Sequence, residues 1–208
     1  MNAKHVYFVR HGQSEYNIAE KVLSYDTPLT QLGLLQAREC RLRCLNLDFQ
    51  LIFTSPYQRS RMTAAIINEH KGKPILIDRR FFGYRYPEAT IGLEKKNEPS
   101  HLEMMSGVEQ KYKGGDNYSE LQARVAAALT LIEGRDEVSI LVISHGYFLY
   151  TVFNLIVFGS DASFTGFERI YHALPHDNTG LTHCVYDPSR SLGKKWRVVT
   201  WNDVMHLR

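Results

Sequence analysis

Short runs of apolar residues recur along the chain, and each of them leads into a polar turn. The runs are rich in β-branched and aromatic residues, which is typical of strands buried on both faces of a parallel sheet. They lie at 5–9, 51–53 and 139–143. The turns that follow them are Arg10-His11-Gly12, Thr54-Ser55-Pro56 and Ser144-His145-Gly146. A further short strand is predicted at 74–77.

Helical spacing of apolar residues follows each of these runs. Thr30 is suited to cap the first helix, because its hydroxyl can accept a hydrogen bond from a free backbone N–H. The apolar stripe of that helix is formed by Leu34, Ala37, Cys40 and Cys44. The next two stripes are formed by Met62, Ala65 and Ile66, and by Leu121, Val125, Ala128, Leu129 and Ile132. A fourth helix, predicted over 147–158, is apolar nearly all round and is expected to be buried.

Strands that alternate with helices predict an α/β fold. The expected architecture is a three-layer sandwich with a mostly parallel central sheet and helices on both faces. The end of the chain differs, because 181–186 and 196–201 flank an Asp187-Pro188 turn. This spacing predicts a terminal pair of antiparallel strands.

Between residues 81 and 115 the apolar residues show no helical or strand periodicity. Phe81, Phe82, Tyr84 and Tyr86 make this segment too aromatic for a disordered linker. We interpret it as a loop-rich insertion, or lid, that covers a site and has no core of its own. A chain of 208 residues is then expected to form one domain over 1–208.

The composition limits which classes of molecule we expect the protein to bind. The 25 basic and 22 acidic side chains leave a net charge of +3, which gives no basis for a nucleic-acid partner or a membrane surface. No apolar segment has the length of a bilayer span, and no leader is recognised before the first strand. Cys40, Cys44 and Cys184 show neither disulfide density nor zinc spacing, and are interpreted as reduced thiols. We expect a soluble cytoplasmic protein with no metal and no cofactor, and its oligomeric state is left open.

The polar turns carry the candidate chemistry. In open α/β sheets, ligands bind beyond the carboxyl ends of the strands, where adjacent connections diverge. Arg10, His11, Arg59 and His145 all follow such strand ends, so they are expected to converge. Two guanidinium groups and two imidazoles together suit a phosphate dianion, because each arginine presents a planar fork of donors to its oxygens.

The turns extend into longer motifs. The first reads Arg10-His11-Gly12-Gln13-Ser14-Glu15-Tyr16-Asn17 and is followed by Pro28-Leu29-Thr30-Gln31-Leu32-Gly33. The others are Ser55-Pro56-Tyr57-Gln58-Arg59, with Thr63-Ala64, and Ser144-His145-Gly146. In this order they resemble the histidine phosphatase superfamily, which includes the cofactor-dependent phosphoglycerate mutases. The ending, with Asn178, Trp196 and Asn202-Asp203, is similar to the small phosphatases of that superfamily. The resemblance is weakest from residue 81 to residue 115.

The resemblance implies a role for each residue of the motifs. His11 is expected to be the nucleophile, since a neutral imidazole is available at pH 7 and attacks phosphorus to form a phosphohistidine. Arg10 and Arg59 are expected to hold the phosphoryl oxygens. His145 is expected to donate a hydrogen bond to one of these oxygens, and Asn17 to bind the phosphate through its amide.

The general acid departs from the family pattern. Counted from Ser55, the usual glutamate falls near Gly83, which cannot transfer a proton. Glu88 restores the glutamate-to-glycine spacing if about five residues are inserted before it, and is our preferred acid; Asp78 is the alternative. Asp116 stands where a Gly-Glu-Ser sequence is common, and either replaces that carboxylate or caps the helix after it.

A phosphatase acting on a small phosphomonoester is the favoured function. A mutase is the second hypothesis, because it must exclude water and retain a bisphosphate, and family mutases usually have a longer chain. A phosphate-binding regulatory protein without turnover is the third, motivated by the displaced acid. The aromatic residues at 81–86 and Lys95-Lys96 either contact the substrate or pack the insertion, and packing is favoured.

Overall fold

The sheet has the predicted mixed topology. The computed structural model describes residues 3–24, 26–106, 111–191 and 195–207. Within them, six strands lie in the order β3-β2-β4-β1-β5-β6. The strands are β1 Lys4–Arg10, β2 Leu51–Thr54, β3 Ile75–Ile77, β4 Ser139–Ser144, β5 Leu181–Tyr186 and β6 Trp196–Asp203. The first four pair in parallel, whereas β5 pairs antiparallel with β1 and β6 antiparallel with β5. The mostly parallel sheet and the antiparallel end are therefore confirmed.

Both faces of the sheet are covered by apolar side chains. In β4, Ile140 and Val142 belong to one core cluster, and Leu141 and Ile143 belong to another on the opposite face. Successive residues of a strand point to opposite faces, so a strand buried on both sides reads as a continuous apolar run. Each cluster lies between the sheet and the helices that cover that face of it. This arrangement confirms the three-layer α/β sandwich.

Seven α-helices are found among the described residues. They are α1 Glu15–Ile18, α2 Gln31–Cys44, α3 Gln58–Asn68, α4 His101–Ser106, α5 Tyr118–Glu133, α6 Gly146–Phe158 and α7 Phe164–Ala173. Thr30 caps α2 as expected, since its hydroxyl accepts from the backbone N–H of Gly33 at 3.0 Å. None of the helices in the described ranges combines the length and apolar character that crossing a membrane requires.

Two helical faces differ from the sequence expectation. In α3 the buried side is formed by Arg59, Ser60, Thr63, Ala64 and Ile67, whereas Ala65 is exposed. The stripe of Met62, Ala65 and Ile66 was therefore the wrong face, because Ala64 and Ile67 pack into the core on the side of α3 that also carries the buried polar residues Arg59, Ser60 and Thr63. In α6 the buried residues are 148–152 and 154, whereas Val157 and Phe158 are exposed.

The segment from residue 81 to residue 115 has little regular structure. It contains α4 and short 3₁₀ turns at Arg79–Phe81, Glu88–Thr90, Lys95–Asn97 and Tyr112–Gly114. Residues 107–110 lie outside the described part of the chain. Phe81 is fully buried and stacks on Phe53 of β2 at 4.9 Å, so the segment is anchored in the main core.

Helix α7 was missed in the sequence, because its strong amphipathic pattern follows directly on the apolar α6.

Candidate active site

A cavity of about 750 Å³ opens beyond the carboxyl ends of the central strands. Arg10 and His11 reach it from the end of β1, Arg59 from the first turn of α3, and His145 from the junction of β4 and α6. Asn17 lines the same cavity from α1. The structure thus brings together the five residues that were expected to bind phosphate, although the chain distributes them over more than 130 positions.

His11 is oriented by a hydrogen bond on each ring nitrogen. Its Nδ1 lies 2.7 Å from the carbonyl oxygen of Gly12, and Arg59 Nε donates to its Nε2 at 3.1 Å. The proton therefore resides on Nδ1, and Nε2 carries the lone pair. Burial lowers the pKa of His11 well below its ordinary value, and the guanidinium groups of Arg59 and Arg10 lower it further. The imidazole is neutral at pH 7 and its Nε2 is available as a nucleophile.

The backbone around His11 is held by three neighbouring segments. The Gly12 N–H donates to the hydroxyl of Thr63 at 3.1 Å, and Asn178 Nδ2 donates to the carbonyl of His11 at 2.8 Å. A Cβ on Gly12 would lie 2.5 Å from the carbonyl oxygen of Gly33, so only glycine fits against the start of α2. Thr63 and Asn178 occur in the family-like motifs, but their role in fixing the nucleophile could not be derived from sequence spacing.

His145 lies beside the nucleophile. The two imidazole centroids are 5.0 Å apart, and their planes meet at 62°. His145 Nε2 is 2.7 Å from the hydroxyl of Ser55, and Arg59 Nη2 approaches its Nδ1 at 3.4 Å. Burial lowers its pKa well below the ordinary value, with further lowering by Arg59, His11 and Arg10. His145 is also the N-cap residue of α6, whose free N–H groups favour an anion at this end.

Two buried guanidinium groups make the cavity strongly cationic. Arg59 is 7% exposed and lies over the rings of Tyr57 and Tyr16, at 4.6 and 5.6 Å from their centroids. Burial lowers its pKa to about 10, so it keeps its charge at pH 7. Arg10 donates through Nη1 to the carbonyl of His176, and its Nε is buried without an acceptor among the described residues. An anion bound beside these two guanidinium groups would offset the cost of burying their charge.

Asn17 is positioned at the rim of the cavity by its own capping interaction. Its Oδ1 accepts from both the backbone N–H and the hydroxyl of Ser14, each at 2.9 Å. With the oxygen engaged in this way, the amide nitrogen is the end of the side chain suited to a phosphate oxygen.

The structure does not bring the predicted acids into the cavity. Glu88 is exposed and lies outside the residues that line it. The chain turns away after Tyr86, because Pro87 packs on Gly115, where a Cβ would lie 2.8 Å from the proline ring. Asp78 caps the following 3₁₀ turn and pairs with Arg80 at 2.6 Å. Neither carboxylate is placed to protonate a leaving group at His11.

Asp116 has a structural role that the sequence did not indicate. It is buried and accepts hydrogen bonds from Arg85 and Arg124, while Asn117 caps α5 by accepting from the N–H of Glu120 at 3.0 Å. Arg124 also donates to the carbonyl of Gly83 at 2.7 Å. The Asp116 carboxylate therefore braces the loop that carries Gly83, which lines the cavity against His145.

Most of the remaining cavity wall is aromatic, and sequence reasoning missed this. The wall includes Tyr16, Tyr84, Tyr86, His101, Tyr147, Tyr150, Tyr171 and His172. The aromatic run at 81–86 was a usable signal, although packing was the favoured interpretation. Both interpretations apply, since Phe81 lies in the core, Tyr86 lines the cavity, and Tyr84 does both. The described residues contain no group of three or more side chains arranged to bind a metal ion.

An open sheet with a neutral imidazole and two arginines at its strand ends is typical of an α/β protein that binds an anion. The family model for branch 1 of the histidine phosphatase superfamily matches residues 6–204. The chain belongs to this family, as its motifs suggested.

Relatives of the chain carry both phosphatase and mutase names. A Hydrogenobacter thermophilus protein provisionally named phosphoserine phosphatase 2 is 27% identical, with 99% of this chain and 98% of that protein covered. A Salmonella choleraesuis protein provisionally named phosphoglycerate mutase GpmB is 30% identical, with 97% and 94% covered. A phosphoserine phosphatase mutant of Entamoeba histolytica, solved in complex with phosphoserine, has a TM-score of 0.76 at 20% identity, with 99% and 100% covered.

Proposed function

We propose that this chain is a metal-independent phosphatase that hydrolyses a small phosphomonoester through a phosphohistidine on His11. The orientation of the His11 imidazole is the observation that supports this proposal most directly. The Nδ1 proton of His11 is held by the Gly12 carbonyl, so the lone pair on Nε2 faces a site flanked by Arg59, Arg10 and His145. A phosphorus atom bound among these cations is the electrophile that such a nitrogen attacks.

The cationic groups account for phosphate binding. Arg59 exchanges its contact with His11 Nε2 for the phosphoryl oxygens, and Arg10 offers the Nε that has no acceptor among the described residues. His145 and Asn17 bind the remaining oxygens. In phosphoryl transfer the protein mainly positions groups and stabilises the charge on the equatorial oxygens, which is what this pocket supplies.

The reaction then follows two displacements at phosphorus. His11 Nε2 forms a bond to phosphorus while the bond to the leaving oxygen breaks. Water next attacks the phosphohistidine, releases orthophosphate and returns His11 to its neutral state. The positive charge needed for both steps comes from side chains of the chain itself.

The first experiment measures orthophosphate release from p-nitrophenyl phosphate. We expect the wild type to turn over, to keep its activity in EDTA, and to lose it in His11→Gln. His70→Gln is the matched control, because His70 is an exposed histidine just after α3. A His11→Gln variant with wild-type turnover, or activity that EDTA abolishes, contradicts the proposal. Tight orthophosphate binding without turnover identifies a phosphate-binding protein instead.

A mutase remains a second candidate because of the relative that carries a mutase name. The two activities are distinguished by following 3-phosphoglycerate with and without 2,3-bisphosphoglycerate. A phosphatase releases orthophosphate in both conditions, whereas a mutase forms the 2-isomer and depends on the bisphosphate.

The physiological substrate is proposed only as a class. Phosphoserine in the Entamoeba histolytica structure and the size of the cavity favour a small phosphorylated metabolite. The described residues of 81–115 act as a lid over this substrate within a single domain spanning 1–208. The three buried free cysteines suit a reducing cytoplasm. A screen of phosphoserine, sugar phosphates, nucleotides and phosphopeptides tests the substrate class.

A further inference from the structure

The cavity extends well beyond the groups expected to bind phosphate. Its volume of about 750 Å³ lies in the range of pockets that enclose a whole small molecule, ~300–1,000 Å³. Arg10, Arg59 and His145 supply only the part of its lining at the strand ends. The rest of the wall therefore decides which organic group can accompany the phosphate.

Three separate parts of the fold supply rings to that wall. We name these rings the aromatic subsite, which consists of Tyr86, His101, Tyr147 and Tyr171. Tyr86 and His101 belong to the insertion, Tyr147 to the first turn of α6, and Tyr171 to α7. All four side chains line the cavity and all four are half-buried, so the subsite keeps accessible surface for a ligand.

The rings of the aromatic subsite pack into one continuous surface. His101 meets Tyr86 edge to face, with centroids 4.6 Å apart and planes at 72°, and meets Tyr147 at 5.5 Å and 83°. Tyr171 stacks on Tyr147, with centroids 5.7 Å apart and planes at 23°. Aromatic pairs prefer these two geometries. A ring that enters the cavity can adopt either of them against the subsite.

The polar atoms of the subsite are largely engaged with one another. His101 Nε2 is 2.5 Å from the hydroxyl of Tyr86, and His101 Nδ1 is 2.7 Å from the hydroxyl of Tyr147. Burial raises the pKa of both phenols well above the ordinary value and lowers the pKa of His101 to about 4. These three side chains are therefore uncharged at pH 7, and they offer ring surface to a ligand.

The subsite adjoins the phosphate-binding groups. Burial lowers the pKa of Arg10, and nearby phenols, among them Tyr147 and Tyr171, oppose this lowering. Tyr147 also follows His145 by only two residues, at the start of the same helix. An organic group esterified to a phosphate held by Arg10 and His145 therefore lies within reach of these two rings.

Charge and polarity narrow the substrate further. Arg10 and Arg59 already concentrate positive charge in the cavity, so a substrate ammonium group would be repelled at short range. The hydroxyls of a sugar need hydrogen-bond partners, and burying them against ring surface costs free energy. An uncharged aromatic ring incurs neither cost and gains the ring contacts.

We propose that the aromatic subsite selects a phosphomonoester whose organic group is an uncharged aromatic ring, in preference to phosphorylated amino acids and sugars. The proposal rests on the phosphatase function above and names the substrate class of the same site. The phosphate is held by Arg10 and Arg59, and the ring of the substrate packs against Tyr147 and Tyr171.

The first test compares esters that differ in aromaticity. Benzyl phosphate and cyclohexylmethyl phosphate have organic groups of similar size, and both release a primary alcohol. We expect wild-type kcat/KM to be ~2–13-fold higher for benzyl phosphate, the value of one aromatic pair converted to a rate ratio. Phosphoserine and glucose 6-phosphate should be poorer substrates than benzyl phosphate by ~10-fold or more.

Two substitutions at one position separate the ring from its hydroxyl. Tyr171→Phe keeps the ring and should keep the preference for benzyl phosphate, whereas Tyr171→Leu should lower the ratio of the two kcat/KM values towards 1. Tyr147→Leu should act in the same way. Phe158→Leu is the matched control, because Phe158 is an exposed ring at the end of α6 outside the cavity lining. A wild-type ratio in folded Tyr171→Leu and Tyr147→Leu overturns the proposal.

Binding of unreactive analogues gives a readout that is independent of turnover. Benzylphosphonate and cyclohexylmethylphosphonate carry the same two organic groups on a phosphonate, which the enzyme cannot hydrolyse. Titration calorimetry on the wild type should give a Kd that is ~2–13-fold lower for benzylphosphonate. Equal Kd values overturn the aromatic subsite.

The outcomes separate the subsite from the phosphatase function. Equal kcat/KM for the two esters, or a preference for phosphoserine or glucose 6-phosphate, overturns the subsite, while release of orthophosphate from p-nitrophenyl phosphate leaves the phosphatase function standing. A wild type that hydrolyses none of these esters overturns the phosphatase function, and the two Kd values then decide whether the aromatic subsite recognises a ring.

Discussion

Gly83 is packed so tightly against His145 that one added methyl group should disable the site. A Cβ at residue 83 would lie 2.7 Å from the Cβ of His145 and 3.0 Å from its Cγ. Carbon atoms in contact are normally about 3.5–4.0 Å apart, so Gly83→Ala must separate the two by about 1 Å. The loop cannot easily retreat, because Arg124 holds the carbonyl of Gly83 at 2.7 Å and is itself paired with Asp116.

The displacement therefore falls on the imidazole of His145. A misplacement of about 1 Å costs ~10²-fold in rate, and overpacking costs about 1–3 kcal/mol of stability. We expect kcat/KM for p-nitrophenyl phosphate to fall by ~10²-fold in a protein that still unfolds cooperatively, measured by steady-state kinetics and thermal unfolding. Gly134→Ala is the control, since its added Cβ meets only carbonyl oxygens, at 3.7 and 3.8 Å. Wild-type activity in Gly83→Ala would show that the contact between residue 83 and His145 does not position the imidazole.

Other expectations address charge, pH and folding. Arg59→Lys loses the planar fork of donors proposed to bind the phosphoryl oxygens and should lower kcat by ~10²–10³-fold, and a near-normal kcat would contradict this role. His11, His101, His145 and His176 have pKa values lowered by burial, so the unfolded chain binds more protons below about pH 6.5. The contribution of these histidines to the free energy of unfolding is fully present above that pH. It should fall towards pH 4, by up to ~1.4 kcal/mol per pH unit for each histidine. Urea unfolding at several pH values measures it, and a flat profile from pH 7 to pH 5 would contradict it. Asn117→Ala removes the cap of α5 and should cost ~1 kcal/mol without changing kcat/KM; an unchanged urea midpoint would contradict the cap.

The centre of the sheet was predictable from the sequence because β2 and β4 are buried on both faces. Continuous apolar runs such as 139–143 have no other simple interpretation when a polar turn and a helix follow. The convergence of Arg10, His11, Arg59 and His145 followed from the same argument, since the carboxyl ends of parallel strands share one edge. Both inferences need only the local pattern of apolar residues and the rule that the carboxyl ends of parallel strands lie at one edge of the sheet.

The insertion was not predictable in the same way. The position of Glu88 depends on Pro87 packing against Gly115 and on the ion pairs of Asp116, and none of these contacts has a periodic signature. His101 is brought to the cavity by α4, a helix of six residues that is too short for a clear apolar stripe. Aromatic residues also pack cores and line pockets equally well, so composition alone does not separate the two roles.

Trapping the covalent intermediate tests the proposed phosphohistidine on His11 directly. The enzyme is mixed with a substrate carrying labelled phosphate, quenched in base within the first turnover, and digested for peptide mapping. We predict acid-labile label on the peptide that contains His11, and no label in His11→Gln. Label on another residue, or full turnover with none trapped on the protein, would contradict it.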